Sequence, residues 1–404
     1  MNLLLAAALL SSSPQVVPAW TASQQPVWGA DFLFPTNIPQ LGGRTLRQIV
    51  RLGIGGTNVR IVFANTYGAQ PVTLVGVHAA PSRGGSRIDS TADRIVHFGG
   101  EDGVTIAPGA TVTSDPLPIT VAAGHDLAIS IRFAAAPEIG SFHWDGRRTG
   151  YVIAGDRIAT SDPAVETTTT ARLLLAGVLV DAPAARGTIV VLGDSITDGA
   201  GATLDAEARW PDYLAARAAP QGIAVVNAGI SGARLLRDGM GVGALARFDR
   251  DVLTQPGIAT LVLALGINDI AWPGTPFDPG AAAMEFDTLA SGYRALVARA
   301  HGAGIRVVGT TLAPFADALP GSPLHATYHS PAKEALRRRI NAWIRDSGAF
   351  DAVVDFDRVL QDPARPHHLA PAYDSGDHLH PGDAGNRAMA DAVPLSILIE
   401  GPTS

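Results

Sequence analysis

Residues 187–197 read Gly-Thr-Ile-Val-Val-Leu-Gly-Asp-Ser-Ile-Thr, an apolar run that ends in a small polar turn. A short, almost continuous apolar run is typical of a strand that is buried on both faces of a parallel sheet. A serine directly after such a strand, here Ser195, is expected at the carboxyl edge of the sheet, where open α/β folds bind their ligands. The stretch therefore predicts an α/β domain with a functional serine, although a serine in this place could also simply cap a helix.

The rest of the second half repeats this pattern. Further short apolar runs follow at 225–226, 260–265, 306–312 and 352–356. Between these runs, the segment 281–300 is long and alanine-rich, and apolar residues recur with helical spacing over 336–344. Alternating strands and helices predict a parallel sheet that is covered by helices.

The first half has the periodicity of strands instead. Leu127, Ile129, Ile131 and Phe133 alternate with smaller or polar residues, which places one face of a strand inward. Many short apolar runs separated by turn residues predict an antiparallel β-sandwich, with a jelly-roll-like topology as the favoured form.

Two finer predictions concern connections in this half. Gly55-Gly56-Thr57-Asn58 lies between two apolar runs and predicts the turn of a β-hairpin. Residues 140–170 are polar with weak periodicity, and we expect them to form a long loop or an excursion between domains.

The two patterns meet near 182–186, where proline, alanine and glycine interrupt the apolar runs. Since 404 residues are enough for two domains at about 100–200 residues each, we expect a β-sandwich domain at 20–184 and an α/β domain at 185–404.

Residues 1–19 are predicted to be an export signal that is removed. Leu3–Leu10 form an apolar run, and Val17-Pro18-Ala19 has the small-residue spacing of a cleavage site, although no Lys or Arg precedes the run. The alternative is an N-terminal segment that frays. The first interpretation predicts a secreted or periplasmic protein.

Composition excludes several classes of function. The chain is 47% hydrophobic and 17% charged, which suits large cores and excludes global disorder. A net charge of -7 without a basic run argues against binding of nucleic acid, which needs a concentrated positive field. With no cysteine, disulfides and thiolate chemistry are impossible. No stretch is long and apolar enough to predict a membrane span in the mature protein.

Three other polar blocks follow predicted strands or precede the last predicted helix: 227–232, Gly266-Ile267-Asn268-Asp269 and Asp377-His378-Leu379-His380-Pro381. Because the carboxyl ends of parallel strands share one edge of a sheet, these blocks can meet in space with Ser195.

Together the four blocks resemble, in residues and order, those of SGNH hydrolases in the GDSL esterase and lipase superfamily, over about 187–395. The resemblance implies a flavodoxin-like, three-layer α/β/α domain that hydrolyses esters without a cofactor. It implies that Ser195 is the nucleophile, His380 its base and Asp377 the partner of the histidine. The first block reads Gly-Asp-Ser-Ile where the family name has Gly-Asp-Ser-Leu, which exchanges one aliphatic residue for another.

The same resemblance implies an oxyanion hole. The backbone N–H groups of Ser195 and Gly232 and the side chain of Asn268 would supply its donors. The alternative for Asn268 is a structural helix cap. Asp194 and Asp269 are expected to brace loops as hydrogen-bond acceptors.

The chemistry of these residue types agrees with the assigned roles. A serine hydroxyl needs a base within hydrogen-bond reach, and neutral His380 can be that base. Asp377, three residues earlier, can accept the other ring N–H and fix the tautomer. Asp374 is the nearest substitute acid, and the His378 side chain is expected to diverge from the site.

A catalytic metal is the alternative that the histidines raise. Zinc needs three or four ligands that converge at about 2.0–2.2 Å, and the spacing of the histidines does not provide them. We therefore predict no metal and place these residues at the rim or in solvent: His325, His329, His367, His368 and His378.

The leading functional hypothesis is a serine esterase that removes short acyl groups, such as acetyl, from carbohydrate, because two-domain members with an N-terminal β-sandwich resemble carbohydrate esterases. Trp20, Trp28, Trp144 and Trp272 are candidates for stacking on sugars, or else pack in cores. A lipase, lysophospholipase or arylesterase is the alternative, with an apolar acyl pocket or a lid over 312–324. A carbohydrate-binding protein with a vestigial hydrolase domain and an acyltransferase are further alternatives.

Overall fold

The computed structural model describes residues 15–30, 32–36 and 38–399. Within these ranges an antiparallel β-sandwich is followed by a helix-covered parallel sheet, and residues 182–186 link the two.

The strands of the N-terminal half are β1 Val16–Thr21, β2 Gln25–Pro26, β3 Arg44–Arg51, β4 Gly56–Ala64, β5 Val72–Leu74, β6 Gly76–Pro81, β7 Arg94–Ile95, β8 Val104–Ile106, β9 Thr111–Thr113, β10 Leu117–Val121, β11 Asp126–Arg132, β12 Ser141–His143, β13 Gly150–Ala154, β14 Thr167–Thr169, β15 Arg172–Leu173 and β16 Leu175–Asp181.

Two antiparallel sheets form the sandwich. One has the order β1-β16-β4-β10 with β9 also paired to β4, and the other has the order β14-β13-β3-β11-β6-β7. Ile61 and Phe63 of the first sheet and Ile129 and Ile131 of the second are fully buried in one shared core. The predicted alternation along β11 thus points one set of side chains at the facing sheet, as a period of two requires. The jelly-roll-like topology stays a prediction.

The hairpin predicted at Gly55–Asn58 is wrong. β3 pairs with β11 and β13, whereas β4 pairs with β16 and β10, so the two strands lie in different sheets and the chain crosses the sandwich between them. A Cβ atom on Gly56 would lie 2.6 Å from the carbonyl oxygen of Asp181. Glycine is needed here for the close approach of β16, and not for a two-residue turn.

The long loop predicted at 140–170 is also partly wrong. It contains β12, β13 and β14, and β13 adds to the six-stranded sheet beside β3. Only Val152 and Ile153 in β13 are consecutive buried apolar residues. So short a run among glycines and threonines carries too little periodicity to be distinguished from a loop.

The predicted signal boundary at residue 19 falls inside β1. Val17 and Ala19 are buried in the sandwich, and Val16–Thr21 pairs with β16. Cleavage after Ala19 would remove most of this strand, so a cut that preserves the sandwich would precede Gln15. Residues 1–14 lie outside the described residues, and export stays a prediction.

The elements of the C-terminal half are β17 Gly187–Gly193, α1 Ser195–Asp198, α2 Trp210–Ala218, β18 Ile223–Gly229, α3 Ala244–Phe248, β19 Ile258–Ala264, α4 Ile267–Ala271, α5 Phe286–Gly302, β20 Arg306–Thr310, α6 His325–Tyr328, α7 Pro331–Asp346, β21 Ala352–Val354, α8 Phe356–Leu360, β22 Gln361–Asp362, β23 Arg365–Leu369 and α9 Asp383–Asp391.

The five strands β18-β17-β19-β20-β21 form a parallel sheet in this order, which is 2-1-3-4-5 along the chain and matches the doubly wound flavodoxin-like pattern. Val190 and Leu192 of β17 face a core shared with α3, α5 and α7. Ile189 and Val191 face a second core shared with α2, α8 and α9. The parallel sheet and its three layers agree with the sequence prediction.

Arg247 of α3 holds the carboxyl ends of the neighbouring strands β17 and β18 together. Its buried guanidinium donates to the carbonyl oxygens of Ala228 (2.9 Å) and Gly193 (3.2 Å) and pairs with Asp251 at 2.6 Å. Burial lowers the pKa of Arg247, and the Asp251 carboxylate partly offsets this effect. The guanidinium therefore fixes the strand ends from which Ser195 emerges.

We expect Arg247→Met to lower the free energy of unfolding by about 2–4 kcal/mol, because two buried carbonyl oxygens lose a charged donor. Urea denaturation measures this loss. Arg186→Met, at an exposed arginine in the linker, is the matched control. Equal stability of the two variants would contradict the role of Arg247.

Candidate active site

Ser195 begins α1 immediately after β17, at the carboxyl edge of the parallel sheet. Asp194 precedes it in extended conformation, and its side chain accepts a hydrogen bond from the N–H of Ile196 at 3.0 Å. Asp194 is therefore the N-cap, which leaves the Ser195 side chain free for another role. Ser195 is 9% exposed, so its hydroxyl lies at the boundary between core and solvent.

The structure brings Ser195, His380 and Asp377 together. His380 Nε2 lies 2.8 Å from Ser195 Oγ, and His380 Nδ1 lies 2.6 Å from Asp377 Oδ2. Asp377 Oδ1 also accepts the backbone N–H groups of Leu379 and His380, at 2.9 and 2.8 Å. Burial raises the pKa of Asp377, but these hydrogen bonds and the nearby imidazole outweigh it and hold the pKa well below its usual range. The carboxyl group is thus an ionised acceptor for the histidine.

Asp374, the substitute acid, is engaged elsewhere. It contacts His378 Nδ1 and accepts the backbone N–H groups of Gly376 and His378. His378 has a positive φ of 59°, and its side chain is 44% exposed. The turn between Asp374 and His380 therefore holds two separate carboxylate–histidine pairs, and only the second contacts Ser195.

Two of the three predicted oxyanion donors are backbone N–H groups, those of Ser195 and Gly232. Within the described part of the chain, neither the Ser195 N–H nor the Gly232 N–H has an acceptor. Gly232 has φ of 70°, and a Cβ atom there would lie 2.6 Å from Met240 Sδ and 2.9 Å from Trp272. Only glycine fits this conformation and this packing.

Asn268 does not cap a helix with its side chain. It is the second residue of α4, with Nδ2 donating to the carbonyl oxygen of Ala233 at 3.0 Å. The hydroxyl of Tyr328 donates to Asn268 Oδ1 at 2.8 Å. Since one N–H of the amide is used by Ala233, the other is left to donate elsewhere.

Tyr328 is a residue that the sequence analysis missed. It is 3% exposed and lies on α6, far from Asn268 along the chain. By occupying Oδ1 of Asn268, its hydroxyl fixes which end of the amide is the donor. The sequence around it, His-Ala-Thr-Tyr, has no motif that could have indicated this contact.

Asp194 and Asp269 are buried loop braces, in line with their expected role. Asp269 accepts the N–H groups of Leu235 and Leu236 at 2.7 and 3.1 Å. Burial raises the pKa of Asp194 to about 7 and that of Asp269 to about 6, and the backbone hydrogen bonds only partly offset it.

Three further histidines among the metal-ligand candidates have separate partners. His367 lies within ion-pair distance of the Glu334 carboxylate, and His368 lies within ion-pair distance of Asp317. His325 Nδ1 forms a hydrogen bond with the carbonyl oxygen of Ala318. Among the residues that the structure describes, no group of three or more His, Asp and Glu side chains is arranged to hold a metal ion.

The four tryptophan candidates differ in position. Trp272 is 3% exposed and stacks on Phe277 with ring centroids 4.3 Å apart, so it is not available to a sugar. Trp20 lies partly buried where β1 faces the parallel sheet, beside Arg209 and Asn227. Trp28 and Trp144 are partly exposed, and their ring centroids lie 5.8 Å apart. They belong to an aromatic cluster that includes residues of both halves.

The apolar segment 312–324 packs inward. Phe315 and Ala318 are fully buried together with Leu324, and Leu319 N–H bonds the carbonyl oxygen of Asp377 at 2.7 Å. The segment thus supports the Asp377 turn through this hydrogen bond, and Phe315 and Leu324 fill the core.

Asp194 predicts a pH dependence of stability. Because its pKa is raised in the folded state, the native protein keeps a proton that the unfolded chain releases, and stability falls as pH rises from about 4 to about 7. Asp194→Asn keeps the oxygen acceptor and should remove up to about 4 kcal/mol of this fall.

Thermal unfolding of both proteins across this pH range measures the difference. Asp162→Asn, at an exposed carboxylate, is the control and should follow the parent protein. A variant Asp194→Asn with unchanged pH dependence would show that Asp194 is ionised in the folded state.

The chain is similar to known proteins over the region that contains the four motif blocks. Residues 191–388 match the model of the GDSL-like Lipase/Acylhydrolase family. No curated protein sequence matches the chain. Solved structures that are similar include a GDSL-like lipase from Bacteroides thetaiotaomicron, with 22% identity, 52% of this chain and 88% of that chain covered and a TM-score of 0.39. A catalytic mutant of an acetylxylan esterase from Geobacillus stearothermophilus has 22% identity, 55% and 98% coverage and a TM-score of 0.37.

The family match begins within β17, the strand that leads to Ser195, and includes the turn that carries Asp377 and His380. Residues 191–388 therefore form a domain of the GDSL-like lipase/acylhydrolase family, and the protein is a carboxylic ester hydrolase.

Proposed function

We propose that the protein hydrolyses short-chain acyl esters, above all acetyl esters of carbohydrates, through an acyl-enzyme formed on Ser195. The observation that carries this proposal is the continuous hydrogen-bonded chain from Ser195 Oγ through His380 to Asp377, with distances of 2.8 and 2.6 Å. Such a chain is the arrangement that activates a serine nucleophile.

In the proposed reaction Ser195 Oγ attacks the ester carbonyl carbon while His380 Nε2 takes the hydroxyl proton. Asp377 accepts a hydrogen bond from Nδ1–H throughout, without taking the proton, and stabilises the imidazolium. His380 then returns the proton to the alcohol oxygen as the carbon–oxygen bond breaks. Water attacks the acyl-enzyme by the same route, and the acid and Ser195 are released.

The negative charge that develops on the carbonyl oxygen needs donors that are already in place. We assign this role to the N–H groups of Ser195 and Gly232 and to the free amide N–H of Asn268. Tyr328 and Ala233 fix the amide from its other side. These donors are worth more in the transition state than in the ground state, because the charge is larger there.

The packing around the site favours a small acyl group. Segment 312–324 was the candidate for a long apolar acyl pocket, but Phe315 and Ala318 are buried in the core. Met240 and Trp272 also fill the space directly beside Gly232. These contacts support acetyl over a long-chain acyl group and disfavour the lipase alternative.

The carbohydrate part of the proposal is supported by the aromatic cluster between the two halves. Trp272 stacks on Phe277, which in turn lies 5.7 Å from Phe34, and Phe34 stacks on Trp144 at 5.4 Å. The cluster runs from the Gly232 loop to partly exposed indoles of the N-terminal half. Indole faces of this kind can cover the apolar face of a sugar ring.

We further propose export of the protein, as the apolar run at its start suggests. No helix among the described residues has the length and apolar character to cross a bilayer.

A substrate panel tests the proposed specificity. p-Nitrophenyl esters of increasing acyl length and acetylated xylan and mannan should give the highest kcat/KM for acetyl groups, with release of acetate from the polysaccharides. Preference for long acyl chains would contradict the proposal and support a lipase.

We expect Ser195→Ala to lose nearly all esterase activity while it keeps its fold, because the hydroxyl contributes little packing and the residual rate comes from the other groups alone. Hydrolysis of p-nitrophenyl acetate and circular dichroism on one preparation measure both properties. Ser161→Ala, at an exposed serine, should keep full activity. A tenth of the parent rate in Ser195→Ala would exclude Ser195 as the nucleophile.

Asn268→Ala should lower kcat by about 10²–10³ with little change in KM, because it removes a donor to the developing charge. Tyr328→Phe should lower kcat in the same way but by up to about tenfold, since it removes one hydrogen bond. Tyr213→Phe on α2 is the matched control. If Tyr328→Phe changes KM and leaves kcat unaltered, Tyr328 does not act through Asn268.

A further inference from the structure

A buried ion pair connects the N-terminal half to the nucleophile helix. His143 on β12 is 4% exposed, and its Nε2 lies 2.8 Å from Oδ1 of Asp198, which is 2% exposed. Asp198 is the last residue of α1, the helix that begins with Ser195. The pair therefore lies at the C-terminal end of the short helix whose first residue is the proposed nucleophile.

The contacts of the His143 ring fix its charge. Nδ1 lies 3.0 Å from the carbonyl oxygen of Ser23, which can only accept a hydrogen bond. Burial raises the pKa of Asp198, but the interaction with His143 and the two hydrogen bonds from Ser231 outweigh it and hold the pKa below its usual value, so this carboxylate is also an acceptor. Burial lowers the pKa of His143, but the contacts with Asp198 and Ser23 outweigh it and raise the pKa above its usual value. Both ring nitrogens must then donate, and His143 is an imidazolium ion.

The other carboxylate oxygen of Asp198 binds Ser231, in the loop that carries the proposed oxyanion donor Gly232. Asp198 Oδ2 accepts the backbone N–H of Ser231 at 2.8 Å and its hydroxyl at 2.7 Å. Ser231 is joined by one peptide bond to Gly232, whose N–H is a proposed oxyanion donor. The position of that donor thus depends on a carboxylate that His143 orients.

A second contact from the same half reaches this loop independently. Gln25 on β2 donates to the carbonyl oxygen of Met240 at 2.9 Å, and its own side-chain oxygen accepts the N–H of Trp144 at 2.8 Å. Met240 packs against Gly232. Two polar contacts of the N-terminal half therefore converge on one glycine of the active site.

We propose that His143 is a positioning residue for ester hydrolysis and that, through Asp198 and Ser231, it holds the Gly232 N–H in the oxyanion hole. This inference depends on the proposed function of Ser195 and Gly232. It makes the N-terminal half a part of the active site and not a separable binding module.

The physical reason is the cost of an unpaired buried charge. Without the imidazolium, the Asp198 carboxylate would keep only the Ser231 donors in a site that excludes water, which is strongly unfavourable. The carboxylate would then rotate or take up a proton, and the Ser231–Gly232 loop would move with it. A displacement of about 1 Å in such a group is enough to lower a rate about 10²-fold.

The test compares His143→Gln with the parent protein. Glutamine keeps the volume and one donor but removes the charge. His125→Gln makes the same chemical change at an exposed position of the same half and serves as the control. Steady-state hydrolysis of p-nitrophenyl acetate gives kcat and KM. Inhibition by phenylboronic acid, which forms a tetrahedral adduct with an active serine, reports on the oxyanion hole separately.

For His143→Gln we expect kcat to fall by about 10–100-fold with KM nearly unchanged, and inhibition by the boronate to weaken, whereas His125→Gln should match the parent protein. A His143→Gln protein with parental kcat and boronate inhibition but a lower melting temperature would overturn the inference and leave His143 a structural contact only.

If His143→Gln does not fold, Ser231→Ala decides, because it breaks the hydroxyl bond to Asp198 and leaves the ion pair intact. A lower kcat with unchanged KM supports the inference, and a parental kcat overturns it. Failure of the proposed function has a different signature, namely a Ser195→Ala protein that remains active.

Discussion

The hydrogen bond between Ser195 Oγ and His380 Nε2, 2.8 Å long, joins residues that are 185 positions apart in the chain. The parallel sheet, the Asp377 carboxylate and several buried polar groups fix the positions of these two atoms. The parallel sheet places Ser195 at its carboxyl edge, and Asp377 aligns the imidazole through a second bond of 2.6 Å. Buried polar groups then fix the strand ends, because loops at the edge of a sheet have few packing contacts of their own.

Those buried groups link catalysis to stability. Arg247 joins the ends of β17 and β18, while Asp198 joins the helix that begins with Ser195 to Ser231 and to His143. Each is a charged group in the interior, and each is tolerated because it is paired with an opposite charge and hydrogen-bonded to neighbouring groups. The interface between the sandwich and the α/β layers thus contains a buried charge pair, His143 and Asp198, at the end of the helix that begins with Ser195.

The sequence was sufficient to predict the parallel sheet and the candidate triad, since Ser195, Asp377 and His380 lie in short motifs next to strongly apolar runs. It was not sufficient for the hairpin at Gly55–Asn58, because glycines that permit a close approach of strands look the same as glycines in a turn. His143 and Tyr328 were missed for another reason. Their roles depend on contacts with distant residues, and the segments around them have no periodicity or motif of their own.

The central claim is that Ser195 is the one serine activated by an imidazole base. Reaction with diethyl p-nitrophenyl phosphate followed by peptide mass spectrometry tests it most directly, because the reagent phosphorylates an activated serine hydroxyl and releases p-nitrophenol. We expect one equivalent of label, carried by Ser195, with loss of activity in step with labelling. Label on another residue, or complete inactivation without label on Ser195, would contradict it.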